Sequence, residues 1–118
     1  MISKRVALLA LLTIGLAAPQ ARAQSVQELT KAGTVKIGVI SGAPPFGTVN
    51  DKGETVGYDV DVANLLGTYL GVKVEIVPLT APARIPSLES RKADILVATL
   101  APTPERAKAV MFSMPYSA

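Results

Sequence analysis

Arg106 is the residue of this chain that most needs a chemical explanation. It closes Thr103-Pro104-Glu105-Arg106, which follows the short apolar run Ile95 to Ala98. Thr103 is a good N-cap, and Pro104 suits the first helical position, where a missing N–H costs nothing. The spacing therefore predicts a buried strand, a tight loop through Thr99, Ala101 and Pro102, and a helix whose first-turn N–H groups point beyond the strand's carboxyl end. That is anion-binding geometry. A cation in that first turn runs against the helix dipole. Two readings fit it: the guanidinium grips a ligand carboxylate through parallel charge-assisted hydrogen bonds, or it is solvated and pairs with a surface acid such as Glu105.

Other chemistry is poorly served. The chain has no His and no Cys, and it carries no HExxH, GxSxG or phosphate-loop motif, so no catalytic residue, cofactor or metal is expected. Asp59, Asp61 and Asp94 read as structural, because helix starts and a strand entry account for them through capping and turn chemistry. No pair of them is arranged for acid and base work. The residues by themselves offer no strong catalytic constellation, and an enzyme is not expected.

The elements that must position Arg106 follow from the pattern. Ser25 to Ala32 reads as a two-turn helix stopped at Gly33, and Thr34 to Ile40 as a core strand. Ser41 to Gly47 is a Gly- and Pro-rich loop, and a small hairpin is expected between Val49 and Tyr58. Asp59 is then expected to cap a helix that packs Val62, Leu65, Leu66, Tyr69 and Leu70 on a sheet and ends at Gly71. Gly67 within it suggests a close approach of helix to sheet. A strand over Val72 to Val77, a loop over Pro78 to Ala83, a short helix over Arg84 to Arg91 and a strand from Asp94 complete the alternation. Strand, helix, strand in this order predicts an α/β fold with a mainly parallel sheet and right-handed crossovers.

The first residues belong to a different category. Lys4 and Arg5 precede the apolar run Val6 to Ala18, and Ala21-Arg22-Ala23 fits a small-x-small cleavage site, so residues 1–23 read as a secretory signal peptide. The net charge of +3 resides in Lys4, Arg5 and Arg22; residues 24–118 hold nine basic and nine acidic side chains, and nucleic acid is not an expected partner. Export without Cys means stability must come from packing, and the absence of Cys after Ala23 favours a soluble periplasmic product over a lipid-anchored one.

Taken together, the segments Lys36 to Phe46, GETVGYDVDVANLLGTYLG, RIPSLESRKADI and TPERAKAVMFSMPY, in register from Thr34 to Tyr116, resemble the periplasmic solute-binding proteins for polar amino acids, the receptors of amino-acid ABC importers. The resemblance implies the first lobe of a two-lobed, type II periplasmic-binding-protein fold. It assigns the ligand's α-carboxylate to Arg106, and loop contacts to Thr99 and Ala101. Many members carry Ser or Thr where this chain has Ala101, so a hydroxyl contact is lost there while a backbone N–H contact would survive. Phe46 either forms a wall for the ligand's aliphatic part or packs its loop onto the sheet, and Ala81 stands where a second aromatic wall is usual. Thr80 to Leu88 resembles the loop of members that take acidic and related polar amino acids, with Ala83 in place of Asn. Arg84 there either lies near the ligand side chain or is an exposed helix-start residue.

The resemblance further implies a small-molecule amino-acid ligand and a membrane permease as partner. The chain ends about where the family's first crossover begins. The expectation is therefore a signal peptide over 1–23 and a truncated N-terminal lobe over 24–118. The second lobe and its ammonium-binding carboxylate would be absent, and the exposed face would lower stability or favour self-association. Fragments of a same-fold enzyme, such as a cyclohexadienyl or arogenate dehydratase or a murein-cleaving enzyme, and of a receptor sensory domain are the alternatives.

Overall fold

The computed structural model describes residues 24–117; the expected signal peptide, 1–23, lies outside the described residues. Helix α1, Val26–Ala32, begins at a reciprocal cap: the Ser25 hydroxyl accepts from the Glu28 N–H at 3.3 Å, and the Ser25 N–H donates to Glu28 Oε2 at 2.8 Å. Strand β1, Thr34–Ile40, follows, then a small antiparallel hairpin of β2, Thr48–Val49, and β3, Thr55–Val56. Helix α2, Tyr58–Leu70, leads into β4, Lys73–Leu79. A 3-10 turn at Ala81–Ala83 runs directly into α3, Arg84–Glu89, and β5, Ile95–Leu96, ends the regular sheet.

The sheet has the order β4-β1-β5, and both pairings are parallel. β1 is the central strand, and Val35, Ile37 and Val39 are wholly buried on it. Leu29 from α1, Val60 and Ala63 from α2, and Val97 just after β5 close over that face to make the core. Val35, Ile37 and Val39 alternate with Lys36 and Gly38, so they share the one face of β1 that the helices cover. Asp94 fixes where β5 starts: its N–H donates to the Lys36 carbonyl at 2.8 Å and its Oδ2 accepts from the Lys36 N–H at 2.9 Å. The structural reading of Asp94 therefore holds, and the expected parallel α/β architecture with its small hairpin is present.

Four local expectations need correction. Asp59 does not cap α2. The N-cap is Gly57, at φ 134°, and the first helical N–H groups are satisfied from outside the helix, Tyr58 by the Pro45 carbonyl at 3.1 Å and Asp59 by the Phe46 carbonyl at 2.8 Å. A side chain on Gly57 would run into those same two carbonyls. The loop backbone does the capping, so the Asp59 carboxylate is free to turn inward.

The packing face of α2 is also rotated from the expected one. Val60, Ala63 and Gly67 are buried, whereas Leu65 and Tyr69 are 54% and 81% exposed. At 100° per residue Leu65 and Tyr69 fall opposite Ala63. β4 runs through Pro78 to Leu79, further than expected, which its edge position permits because Pro there forfeits no ladder bond. The helix expected at Thr103 is one 3-10 turn, Arg106–Lys108. The cap chemistry is nevertheless present: the Thr103 hydroxyl accepts from the Arg106 N–H at 3.2 Å. Beyond the turn Met111 and Met114 are 94% and 88% exposed, so no apolar face is buried to repay nucleation of a longer helix.

Gly67 marks a close approach of helix to sheet: a methyl group there would overlap the Val74 side chain of β4. Gly67→Ala gains about 1 kcal/mol of helix propensity and loses about 1–3 kcal/mol to overpacking, so a net destabilisation is expected in urea unfolding. Val74→Ala introduced together with it should recover part of that loss, which makes the pair non-additive.

Candidate functional site

The carboxyl ends of β1, β4 and β5 meet at one edge of the sheet; Phe46, Thr99 and Ala101 lie in the loops there, and Arg84 and Arg106 in the helical turns that follow two of them. Two arginines dominate this edge. Arg84, at the first position of α3, donates Nε–H to the Ala81 carbonyl at 2.8 Å and Nη1–H to the carbonyls of Ala98 and Thr99 at 3.1 and 3.0 Å. Arg106, in the 3-10 turn, donates Nη1–H to the Ala101 carbonyl at 2.9 Å. Two guanidiniums thus hold one loop, Ala98 to Ala101, by its outward carbonyls. Thr99 takes up a left-handed conformation there, φ 46°, which turns the chain between the two clamps.

These arrangements settle part of what the residue types left open. Arg84 is half-buried and tied to backbone on both sides of its loop, so it is not a free helix-start arginine. Burial, and then the neighbouring charge of Arg106, lowers its proton affinity from the ordinary guanidinium value. Arg106 forms no ion pair with Glu105 or with any other described residue. Arg84 retains its Nη2 group, and Arg106 most of its five N–H donors, for another acceptor. Two like charges held side by side with no carboxylate between them favour an anion on that spot.

Thr99, Ala101 and Phe46 line one groove of about 700 Å³ whose opposite wall is the C-terminal stretch Val110 to Ser117. Arg106 lies beside it, in a hollow with Ile85, Thr103 and Pro104. The Phe46 backbone carbonyl caps α2, and Phe46 lines the groove and meets Tyr58 edge-on at 6.2 Å. The anion site expected at a helix N-terminus is not formed, since a single 3-10 turn has no aligned dipole of useful length. Among the described residues no group of His, Cys, Asp or Glu could hold a metal ion, and no helix is long and apolar enough to cross a membrane.

Asp59 and Tyr116 were not legible as a unit. Asp59 is fully buried, and its Oδ1 accepts from the Tyr116 hydroxyl at 3.0 Å, 57 residues away in sequence. Its Oδ2 has no hydrogen-bond partner among the described residues. Burial raises the Asp59 pKa above the usual carboxylate value, and the Tyr116 bond only partly offsets that. Burial, followed by the charge and hydrogen bond of Asp59, pushes the Tyr116 hydroxyl up to about 12. The one sequence signal that could have found this pair is the dense aromatic and acidic Gly57-Tyr58-Asp59; pairing across the fold has no local signature.

A carboxyl group whose folded pKa is raised takes up its proton in the folded chain before it does so in the unfolded chain. Its stabilising contribution is complete below the unfolded value and is lost as pH rises through the folded one. The wild type should therefore gain stability relative to Asp59→Asn as pH falls from neutral to about 4, near the unperturbed carboxylate value. Urea unfolding of both proteins across that range measures the difference, and a constant gap would contradict it.

Similarity to known proteins agrees with this architecture. The model for bacterial extracellular solute-binding proteins, family 3, matches residues 35–118. The L-cystine-binding protein TcyJ of Escherichia coli K12 is 30% identical over 92 residues, 78% of this chain and 35% of TcyJ. Cyclohexadienyl dehydratase of Pseudomonas aeruginosa is 27% identical over 110 residues, 93% of this chain and 41% of that enzyme. Among solved structures, arginine-bound domain 1 of the T. maritima arginine-binding protein TmArgBP superposes with a TM-score of 0.71 at 39% identity, covering 75% of this chain and 71% of that one. The chain spans about a third of the length of the curated binding proteins it matches. With its parallel sheet, flanking helices and loop order, the chain belongs to the bacterial extracellular solute-binding proteins, family 3.

Proposed function

We propose that this chain is the N-terminal lobe, after a signal peptide over 1–23, of the extracytoplasmic amino-acid-binding component of an ABC importer. It recognises a polar or acidic amino acid in the periplasm and delivers it to a membrane permease, without chemistry, metal or cofactor. The observation that carries the reading is the pair of adjacent guanidiniums, Arg84 and Arg106, with donors to spare and no described carboxylate partner, at the carboxyl edge of a parallel sheet. Arg106 takes the ligand α-carboxylate. Thr99 and Ala101 supply loop contacts, Phe46 a wall, and Arg84 meets a side-chain carboxylate or other polar acceptor. A buried unpaired cation costs several kcal/mol, so a site with two cations disfavours ligands that bring a third.

The names of the relatives pull against that preference, since arginine is the ligand of TmArgBP and of several other relatives. Calorimetric titration of the intact chain with glutamate, aspartate, glutamine and arginine separates the possibilities. Glutamate or aspartate is expected to bind at least tenfold more tightly than arginine, and Arg106→Ala to abolish binding through loss of a bidentate charge-assisted pair worth about 3 kcal/mol or more. Arginine binding tightest would leave the receptor reading standing and overturn the acidic class. The dehydratase relative, which aligns with 93% of the chain, motivates one other reading, part of a same-fold enzyme. Turnover of a cyclohexadienyl substrate by the protein containing this chain would favour it.

A further inference from the structure

The groove that holds Thr99, Ala101 and Phe46 has an unusual wall. Its C-terminal side, Val110 to Ser117, contains no helix or strand, and Met111 and Met114 are almost entirely exposed. Ser113 donates only to the neighbouring Met114 carbonyl, a bond that ties the segment to nothing else. Among the described residues, the side-chain hydrogen bond that joins this wall to the body of the fold is Tyr116 to Asp59, at 3.0 Å. The Tyr116 ring stacks on Tyr58 at 6.4 Å with 19° between the planes, and Tyr58 in turn meets Phe46 edge-on, so one aromatic row runs from the wall to the opposite lip of the groove. Thr99 and Tyr116 line the same groove, and the Thr99 backbone acts to lower the pKa of that hydroxyl, against the larger effects that raise it.

Asp59 is an expensive anchor. It is fully buried with one oxygen unpartnered, which a cap or surface acid never needs to be, and a Leu or Asn of similar volume would fill the space at less cost. What the carboxylate provides is a strong, directed acceptor for one hydroxyl at the mouth of the groove. We infer that Tyr116 is a positioning residue of the ligand groove: clasped by Asp59 and stacked on Tyr58, it fixes the wall and holds the Thr99 turn in the conformation that faces the ligand. This rests on the reading of the groove as an amino-acid site. Tyr116 itself acts through Thr99 and the wall and is not assigned a ligand contact.

Tyr116→Phe keeps the stacked ring and removes only the hydroxyl. In the intact chain it is expected to speed hydrogen exchange at the Thr99 amide roughly tenfold and to weaken glutamate binding by a similar factor. Exchange at the Val97 amide, bonded to the Gly38 carbonyl at 2.9 Å on β1, should not change. Asp59→Asn retains an acceptor oxygen and should keep Thr99 exchange near the wild-type rate, whereas Asp59→Leu should match Tyr116→Phe. Unchanged Thr99 exchange in Tyr116→Phe would overturn the inference. So would faster exchange with unaltered affinity, or equal acceleration at Thr99 and Val97, which marks general loosening. A wild-type chain that binds no amino acid would sink the amino-acid reading alone, and the exchange comparison would still decide the clasp.

Discussion

The parallel register of β1 between β4 and β5 is the constraint from which the site follows. Because all three strands run the same way, their carboxyl ends emerge on one edge, and the loops after them are brought together regardless of their separation in sequence. Asp94 sets that register by exchanging two hydrogen bonds with the Lys36 backbone, and Gly38 lets Leu79 and Leu96 close in from the neighbouring strands, where even a methyl group would crowd both. A slip of one residue would invert the faces of a two-residue strand such as β5 and carry Thr99 and Ala101 away from the arginines.

Above that edge, positive charge is used twice. Arg84 and Arg106 first act as backbone clamps, giving the carbonyls of Ala98, Thr99 and Ala101 donors that a tight loop cannot supply from its own chain. Their remaining donors then face a place with cations on two sides. Structural clamp and proposed ligand contact are not competing descriptions of these residues, because a guanidinium has enough donors for both. The clamping also holds each arginine in place, which would lower the entropy lost on binding an anion there.

The parts that were legible in the sequence are those written locally. The short helix stopped at Gly33, the β-branched run of β1, the stop at Gly71 and the close approach at Gly67 depend on residues within a few positions of one another, and each was recoverable. Asp59 was misread because its environment is not local: loop carbonyls at Pro45 and Phe46 do the capping, and Tyr116 supplies the partner. Leu65 and Tyr69 matched a helical stripe by type, yet the small residues Ala63 and Gly67 set the packing face, since they let the helix axis come close to the sheet. At Thr103 the capping signal was correct and the helix was not, because a cap directs a start while tertiary burial decides the length. For the site, the Thr103 to Arg106 spacing and the family resemblance pointed to Arg106, Arg84, Thr99 and Phe46, and the fold brings them to one edge. The bonds that organise them end on carbonyls, which every residue has and no sequence distinguishes.

The most direct measurement follows the Nε–H resonances of Arg84 and Arg106, and the amides of Thr99 and Ala101, in the isotope-labelled intact chain during titration with glutamate. The account predicts saturable shifts at Arg106 together with Thr99 and Ala101, and none with the corresponding α-amide, which lacks the α-carboxylate. An undisturbed Arg106 resonance at saturating glutamate, or equal shifts with the amide, would contradict the assignment of that guanidinium to the ligand's carboxylate.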